Sequence, residues 1–229
     1  MMAWIPLAGG VSAAAGLLSW GAVHPASRLF GPTITHAPSI DSIALTFDDG
    51  PNPAVTPRLL DLLEREHVCA TFFVIGRWVR ACPAIVREIA ARGHGVANHT
   101  DTHANLTFLP PKTIVRELTA CQNAIDAAAD RRPRLMRPPF GFRGPQLRTA
   151  LDRSGLSEVV TWSAMGRDWS ARGANRLRDR LHAVRGRDIV VLHDGDHRRL
   201  GVDRTATLEA LAYWLPRWRD RGLRCVRLE

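Results

Sequence analysis

Two short clusters of polar residues in this sequence have the side chains needed to bind a metal ion. Asp48 and Asp49 are adjacent, and His99 and His103 are four residues apart. Spacing of i, i+4 places two imidazoles on one side of a helical turn, as chelation of a metal requires. With one carboxylate, the two histidines would leave positions open for water and substrate. Such a set suits Zn²⁺, with Co²⁺, Mn²⁺ or Ni²⁺ as substitutes, and could activate water or polarise a carbonyl.

The second carboxylate of the Asp48-Asp49 pair needs a different task. Adjacent side chains diverge, and two like charges in one site raise one of the pKa values, so one carboxylate could ligate while the other acts as a base. Each cluster alone has an ordinary explanation: paired histidines often lie on a surface, and Asp-Asp-Gly often forms a turn. The position of both clusters directly after predicted strands favours a shared site.

The elements that must position these residues alternate along the chain. Short β-rich runs predict seven strands: 43–47, 70–75, 95–99, 134–137, 158–163, 188–192 and 224–228. Apolar residues at helical spacing predict six helices between them: 56–66, 83–91, 111–129, 145–153, 174–184 and 205–221. This βα alternation predicts an α/β fold with a parallel sheet covered by helices, either an open doubly wound sheet or a closed barrel.

Polar segments follow five of the predicted strands at their carboxyl ends. They are Asp48 to Pro51, Asn98 to His103, Arg137 to Gly141, Arg167 to Trp169 and His193 to Gly195. Because parallel strands end at the same edge of a sheet, we expect these segments to converge on one rim.

These segments resemble, in order, the five motifs of the polysaccharide deacetylases. The matching residues are Thr46 to Pro51, His99 to His103, Arg137 to Gly141, Asp168-Trp169 and Leu192 to Asp194. The family includes chitin, chitooligosaccharide and peptidoglycan N-acetylglucosamine deacetylases. The resemblance covers about residues 40–229. It implies a distorted (β/α) barrel, usually of seven strands, which agrees with the seven predicted here.

The resemblance also implies a metal site and its base. By position in the motifs, Asp49, His99 and His103 would bind the metal, and Asp48 would be the general base that deprotonates the attacking water. Arg137 would hold Asp48 ionised and oriented through a charge-assisted contact. These roles fit a hydrolase that removes N-acetyl groups.

The remaining motif residues would supply the acid and the substrate contacts. His193 would protonate the leaving amine, and Asp168 would favour its imidazolium form. The backbone N–H of Phe140 would help to stabilise the oxyanion. Trp169 and Leu192 would form the wall of the acetyl-methyl pocket, although ordinary core packing is the alternative for both.

Two departures from the family pattern bear on specificity. Ser163 and Met165 stand where acidic residues commonly precede the final Asp-Trp, and Phe140 stands where many members have tyrosine. Only the backbone amide of Phe140 is needed for its implied role. Among the histidines outside the motifs, His197 lies close enough to His193 to be a candidate for the rim of the site.

The chain is strongly basic, which bears on its partner. Lys plus Arg total 31 against 22 Asp plus Glu, for a net charge of +9, and Lys112 is the single lysine. Arg143, Arg167 and Arg172 near the motifs could favour an anionic glycan or a lipid-linked sugar phosphate. The scatter of arginines along the chain favours a solvated surface instead.

The substrate hypothesis is an N-acetylhexosamine unit in an oligo- or polysaccharide, such as cell-envelope glycan. A deformylase or amidase acting on a lipid-linked aminosugar, another amide or an imide is the alternative within the same fold. A non-catalytic basic module for nucleic acid or anionic glycan is a third reading. Because Tyr213 is the only tyrosine and no recognition-helix signature occurs, we expect no nucleic-acid partner.

Domain organisation follows from composition. Residues 1–23 carry no Asp, Glu, Lys or Arg, and a helix of that length spans about 35 Å, so we expect a membrane anchor or an uncleaved signal segment. Residues 24–39, rich in proline and glycine, read as a linker, and residues 40–229 as the catalytic domain. The expected location is membrane-associated or extracytoplasmic, in the cell envelope. The expected state is a monomer.

The four cysteines argue against a cysteine-based site. Their positions are Cys69, Cys82, Cys121 and Cys225, with no C-x-x-C pair. This spacing excludes a zinc knuckle and a thioredoxin-like motif, and we expect free thiols.

Overall fold

A single curled sheet with helices packed around it forms the fold. The computed structural model describes residues 15–170 and 173–229. Its strands are β1 (Thr33–Ile34), β2 (Ser42–Gly50), β3 (Thr71–Val74), β4 (Gly95–Asn98), β5 (Leu135–Met136), β6 (Glu158–Val160), β7 (Ala164–Met165), β8 (Ile189–His193) and β9 (Arg224–Val226). Their order is β1-β6-β5-β4-β3-β2-β8-β7, with β9 beside β2, and every strand pair is parallel. The sequence prediction of an α/β distorted barrel is confirmed.

Seven labelled helices connect the strands. They are α1 (Thr56–Arg65), α2 (Gly76–Ala81), α3 (Pro83–Ala91), α4 (Pro111–Ala129), α5 (Leu147–Ser154), α6 (Ala174–Leu181) and α7 (Thr205–Asp220). Helices α3 and α4 begin with proline, whose fixed φ and missing N–H suit a first helical position. Helix α5 begins two residues after Pro145. Residues 15–23 are also helical.

The structure contains the seven predicted strands and adds two more. Strand β1 was not predicted, and the run predicted at 158–163 is followed by a separate strand, β7. Between β6 and β7 the chain changes neighbours. Thr161 donates its N–H to the Ile34 carbonyl at 2.9 Å, and Ser163 donates its own to the Ile189 carbonyl at 3.1 Å. This segment therefore connects the two ends of the strand order and curls the sheet. Strands β1 and β7 have two residues each, too few to be recognised from alternation in the sequence.

The two faces of the strands have different environments, which β2 illustrates. Ile43, Leu45 and Phe47 pack in the main apolar cluster with the helices, whereas Ala44 belongs to a separate interior cluster. Because side chains alternate along a strand, Thr46 and Asp48 share the interior face with Ala44. The period-2 pattern of this buried strand thus delivers a carboxylate to the inside of the barrel at its carboxyl end.

Residues 24–39 differ from the predicted linker because they are part of the folded unit. Within them, β1 pairs with β6, and His36 forms an isolated bridge to Asp188. Arg143, which is buried, donates to the carbonyls of His24, Pro25 and Ser27 at 2.7, 3.1 and 2.9 Å. Proline and glycine suggest a flexible connection, but these long-range hydrogen bonds fix its path.

The predicted membrane segment, residues 1–23, falls mostly outside the described residues. Residues 1–14 are not described, and residues 15–23 form a short helix. In the described ranges no helix is both long and apolar enough to cross a bilayer.

Candidate active site

The two aspartates sit where β2 ends and the backbone turns. Asp48 is the register partner of His193 on β8 and of Phe73 on β3. The register with β3 then shifts between Asp48 and Gly50, and Asp49 has a φ of 69° in the left-handed region. This irregularity lets two consecutive carboxylates serve one cavity instead of pointing to opposite faces of the strand.

Asp49, His99 and His103 come together as a candidate metal site. The Asp49 Oδ1 atom lies 3.5 Å from His99 Nε2 and 3.3 Å from His103 Nε2. One ligand atom from each residue lies within 4.8 Å of the others, and all three residues are buried. Asp49 Oδ1 accepts no hydrogen bond within the described chain. A buried carboxylate oxygen without a donor is costly, so a cation between these three groups fits the donor set.

Surrounding groups keep the two imidazoles suited to ligation. His99 Nδ1 lies 2.7 Å from the backbone carbonyl of Arg137, a contact that directs Nε2 toward the metal position. Burial, reinforced by the neighbouring His99, lowers the pKa of His103 to about 3. Burial alone would raise the pKa of Asp49, but the nearby imidazoles of His197 and His99 hold it well below its usual range. Neutral imidazole and ionised carboxylate are the forms that bind a divalent cation.

Arg137 contacts Asp48, the residue that it was predicted to orient. Its Nη1 atom donates to Asp48 Oδ1 at 2.7 Å and to Thr46 Oγ1 at 2.8 Å, and Nη2 donates to the Thr161 carbonyl at 2.9 Å. The guanidinium is fully buried and lies 4.1 Å from the centroid of the Phe73 ring. A charge-assisted contact of this kind restricts Asp48 to one orientation.

His193 and Asp168 form the second charged pair of the site. His193 Nδ1 lies 2.8 Å from Asp168 Oδ1. Asp168 Oδ2 accepts from the His193 backbone N–H at 2.7 Å and from Thr207 Oγ1 at 3.0 Å. Burial would lower the pKa of His193, but the Asp168 carboxylate raises it to about 9. The imidazole therefore carries a proton at neutral pH and presents it beside Asp48.

These residues line one cavity of about 490 Å³. Asp48, Asp49, His99, His103 and His193 all contribute to it. The structure therefore brings together the candidate metal triad, the predicted base and the predicted acid from three different strand ends, those of β2, β4 and β8.

Of the three residues predicted to contact the substrate, two line the cavity. Phe140 and Trp169 line the cavity and are each about half exposed, at 47% and 50%. Phe140 has a φ of 61°, and its ring meets that of His103 edge to face at 4.7 Å. Trp169 likewise meets His193 edge to face at 4.9 Å.

Leu192 does not take the predicted place in the pocket wall. It is fully buried in the main apolar cluster, on the helix side of β8. Since His193 faces the cavity, the alternation of the strand turns Leu192 away and brings Val191 to the cavity instead. Trp162 and Met165 complete the apolar lining. The packing alternative for Leu192 is thus the observed one.

His197 joins the site more closely than its sequence position indicated. Its ring stacks on that of His103 with centroids 4.3 Å apart, and its Nδ1 atom lies 3.7 Å from Asp49 Oδ2. Trp78 Nε1 donates to the Asp196 carbonyl at 3.1 Å, and Arg77 donates to the carbonyl of His197. The only signal in the sequence was the short distance from His193, because the residues that hold the loop lie more than a hundred positions away.

The three arginines expected near the substrate do not share one environment. Arg143 is buried and bound to backbone carbonyls, as described above, so it does not face a ligand. Arg167 is exposed beside the cavity. Arg172 lies outside the described residues.

All four cysteines are free, as predicted.

The fold and this site are those of a known group of carbohydrate-active hydrolases. The sequence profile described as polysaccharide deacetylase matches residues 35–159, more than half of the chain. The chain therefore belongs to the polysaccharide deacetylase family, and it is a deacetylase enzyme.

Individual relatives agree with this assignment. A chitooligosaccharide deacetylase of Bradyrhizobium sp. (strain ANU 289) is 41% identical over 189 residues, which cover 79% of this chain and 86% of the relative. A peptidoglycan-N-acetylglucosamine deacetylase of Bacillus cereus is 34% identical, covering 80% and 84%. The crystal structure of the Bc1960 peptidoglycan N-acetylglucosamine deacetylase superposes with a TM-score of 0.78 at 29% identity, covering 85% of this chain and 89% of that one.

Proposed function

We propose that this enzyme removes N-acetyl groups from N-acetylglucosamine units of an oligosaccharide or cell-envelope glycan, with Zn²⁺ as its metal. The observation that carries the proposal is the convergence of Asp48, His193 and the Asp49-His99-His103 triad on one cavity. The relatives named as chitooligosaccharide and peptidoglycan-N-acetylglucosamine deacetylases support this choice of sugar over a formylated or imide substrate.

The proposed metal ligands are Asp49, His99 and His103. Two imidazole nitrogens and one carboxylate oxygen are a ligand set that Zn²⁺ accepts with positions left open. When bound there, the ion would supply a Lewis acid that polarises the acetamide carbonyl and lowers the pKa of water.

The base and acid roles follow from the two charged pairs. Asp48, held by Arg137, takes a proton from the attacking water as its oxygen bonds to the acetyl carbon. The backbone N–H of Phe140 donates to the oxygen that becomes negative. His193, protonated through Asp168, gives its proton to the sugar nitrogen as the C–N bond breaks. The products are acetate and a free amine on the sugar.

The experiment that tests this function is acetate release from N-acetylglucosamine oligomers. The metal-stripped protein is assayed with and without added Zn²⁺ or Co²⁺, beside Asp48→Asn and His99→Ala. Asp130→Asn and His182→Ala are matched controls, because both side chains are exposed. Metal-dependent acetate that both site variants abolish and both controls keep is the expected result. Stoichiometric metal binding without acetate would overturn the acetyl-sugar assignment, and formylated aminosugars would then be tested.

We also propose that the enzyme works in the cell envelope as a monomer attached through its N-terminal segment. The uncharged residues 1–23 support the attachment, and the cell-wall substrate named for the Bacillus cereus relative supports the location. Membrane fractionation of the full chain and light scattering of the purified protein test both statements. Recovery in the cytoplasmic fraction, or a stable dimer, would contradict them.

A further inference from the structure

A second cleft lies beside the active-site cavity, and three residues line both. It has a volume of about 990 Å³ and shares Phe140, Trp162 and Met165 with the cavity. Its remaining lining includes Arg167, Arg185 and Arg187. We call this cleft the arginine groove. A polymer whose acetamide lies at His193 would extend past Trp162 into the groove.

The arginine groove carries an excess of positive charge. Arg167, Arg185 and Arg187 are exposed, and within the described chain none of their guanidinium groups forms an ion pair. The one carboxylate of the groove, Asp188, is buried and already accepts from Ser163 Oγ at 2.7 Å and from the Arg185 backbone N–H at 2.9 Å. Its oxygens are thus occupied within the fold, and the three exposed arginines that line the cleft leave it with a net positive charge.

The wall opposite these arginines is held in place by buried hydrogen bonds. Residues 23–26 form it. Arg143 donates to the carbonyls of His24 and Pro25, and Thr161 Oγ1 donates to the Pro25 carbonyl at 2.9 Å. A buried arginine used only to fix backbone indicates that the shape of the groove is preorganised rather than formed by a loose terminus.

We propose that the arginine groove binds an anionic substituent, a carboxylate or a phosphate, carried by a sugar next to the one that is deacetylated. The inference rests on the proposed function and adds a substrate class to it. The planar guanidinium matches carboxylate and phosphate oxygens in a bidentate way, which an ammonium group does not. Trp162 lines both cavities and provides apolar surface for the intervening sugar ring.

The test compares three N-acetylglucosamine-containing oligomers of equal length. One is neutral, one alternates with N-acetylmuramic acid and so carries carboxylates, and one carries a phosphate; the last two distinguish the source of the anion. For the wild-type enzyme we expect kcat/KM to be about 10-fold higher for an anionic oligomer than for the neutral one, and this preference to fall with added salt.

The decisive variant replaces Arg167, Arg185 and Arg187 with Gln. It should lose the anionic preference and keep its rate on the neutral oligomer within about twofold. A control variant replaces Arg65, Arg87 and Arg131 with Gln, which removes the same charge from exposed positions outside the groove. Equal loss of preference in both variants, or no preference in the wild type, would overturn the proposal.

Binding measured without turnover separates this proposal from the proposed function. Calorimetry of the three oligomers with Asp48→Asn measures binding affinity without turnover. Tighter binding of an anionic oligomer, lost when the three arginines are also replaced, supports the arginine-groove proposal. Equal affinity for all three oligomers overturns it. Acetate release from the neutral oligomer reports the proposed function, so either statement can fail while the other stands.

Discussion

His193 Nδ1 and Asp168 Oδ1 lie 2.8 Å apart, and this contact sets the charge of the imidazole that faces Asp48. Asp168 is buried and receives two further hydrogen bonds, so its carboxylate is held ionised beside the ring. The enzyme thereby places the proposed base, Asp48, and a protonated His193 on adjacent strands. If His193 gave its proton to Asp48, the site would lose its acid and its base together. Arg137, which contacts Asp48, and Asp168, which contacts His193, are therefore as important as the two groups themselves.

The first prediction concerns the alkaline limb of the pH profile. Because the pKa of His193 is raised to about 9, the acid stays protonated through neutral pH and is lost as the pH rises through that value. Asp168→Asn removes the cause of the increase and leaves burial, which lowers the pKa. We expect the limb in kcat to move down by about two pH units or more. Steady-state kinetics from pH 6 to 10 measure it, with Asp130→Asn as control. An unmoved limb would show that His193 is not the titrating acid.

The second prediction concerns Arg137. Arg137→Ala leaves the nearly buried Asp48 carboxylate without its cation, so we expect a loss of about 3–5 kcal/mol in the free energy of unfolding. We expect kcat to fall by about 100-fold or more. Arg137→Lys keeps the charge and should recover part of the stability. It has no second nitrogen to donate to the Thr161 carbonyl while the first donates to Asp48, so it should recover little activity. Denaturant titration and acetate assays measure the two effects, and a fully active alanine variant would contradict the role given to Arg137.

The third prediction concerns His197. Its contact with Asp49 Oδ2 orients the carboxylate whose other oxygen faces His99 and His103. Outer contacts of this type typically change metal affinity by 10–100-fold, so we expect His197→Ala to raise the Kd for Zn²⁺ by about 10-fold or more. Competition with a chromophoric chelator measures the affinity without any substrate. His182→Ala, on the outside of the fold, should bind as the wild type does. A Kd for Zn²⁺ in His197→Ala equal to that of the wild type would show that this side chain lines the cavity without affecting metal binding.

The fourth prediction separates two adjacent residues of β8. Leu192 is packed among the helices, so Leu192→Ala should lower the free energy of unfolding by about 2–5 kcal/mol and leave KM nearly unchanged. Val191 lines the cavity, so Val191→Ala should change KM at a smaller cost in stability. Thermal unfolding and substrate titration of both variants check this assignment. A large change in KM caused by Leu192→Ala would instead place Leu192 in the acetyl-methyl pocket.

The fifth prediction concerns the wall held by Arg143. Arg143→Ala removes three hydrogen bonds to the carbonyls of His24, Pro25 and Ser27. We expect faster amide hydrogen exchange in residues 22–27, because local opening becomes easier when those bonds are lost. Mass spectrometry of exchanged peptides detects the change, with the exposed Arg153→Ala as control. Unchanged protection would mean that the pairing of β1 with β6 is sufficient to hold the segment.

Sequence patterns alone predicted the parallel sheet, the positions of its main strands along the chain and the identity of the chemical groups. These features depend on local signals: the alternation of apolar runs, proline at helix starts, and carboxylates and histidines at strand ends. Asp48, Asp49, His99, His103 and His193 could be placed on one rim because the carboxyl ends of parallel strands meet at one edge. The inward direction of His193 also implied the outward direction of Leu192, a consequence of alternation that motif matching alone overlooks.

The features that depend on contacts between distant residues became visible in the folded structure. His197 reaches the metal site because Arg77 and Trp78 hold its loop, and no pattern near residue 197 encodes their position. Arg143 and Arg187 are the same residue type, yet one is buried against backbone carbonyls and the other lines a cleft. Charge and composition report how many arginines there are, whereas burial and hydrogen bonding, which require the whole fold, determine what each of them can bind.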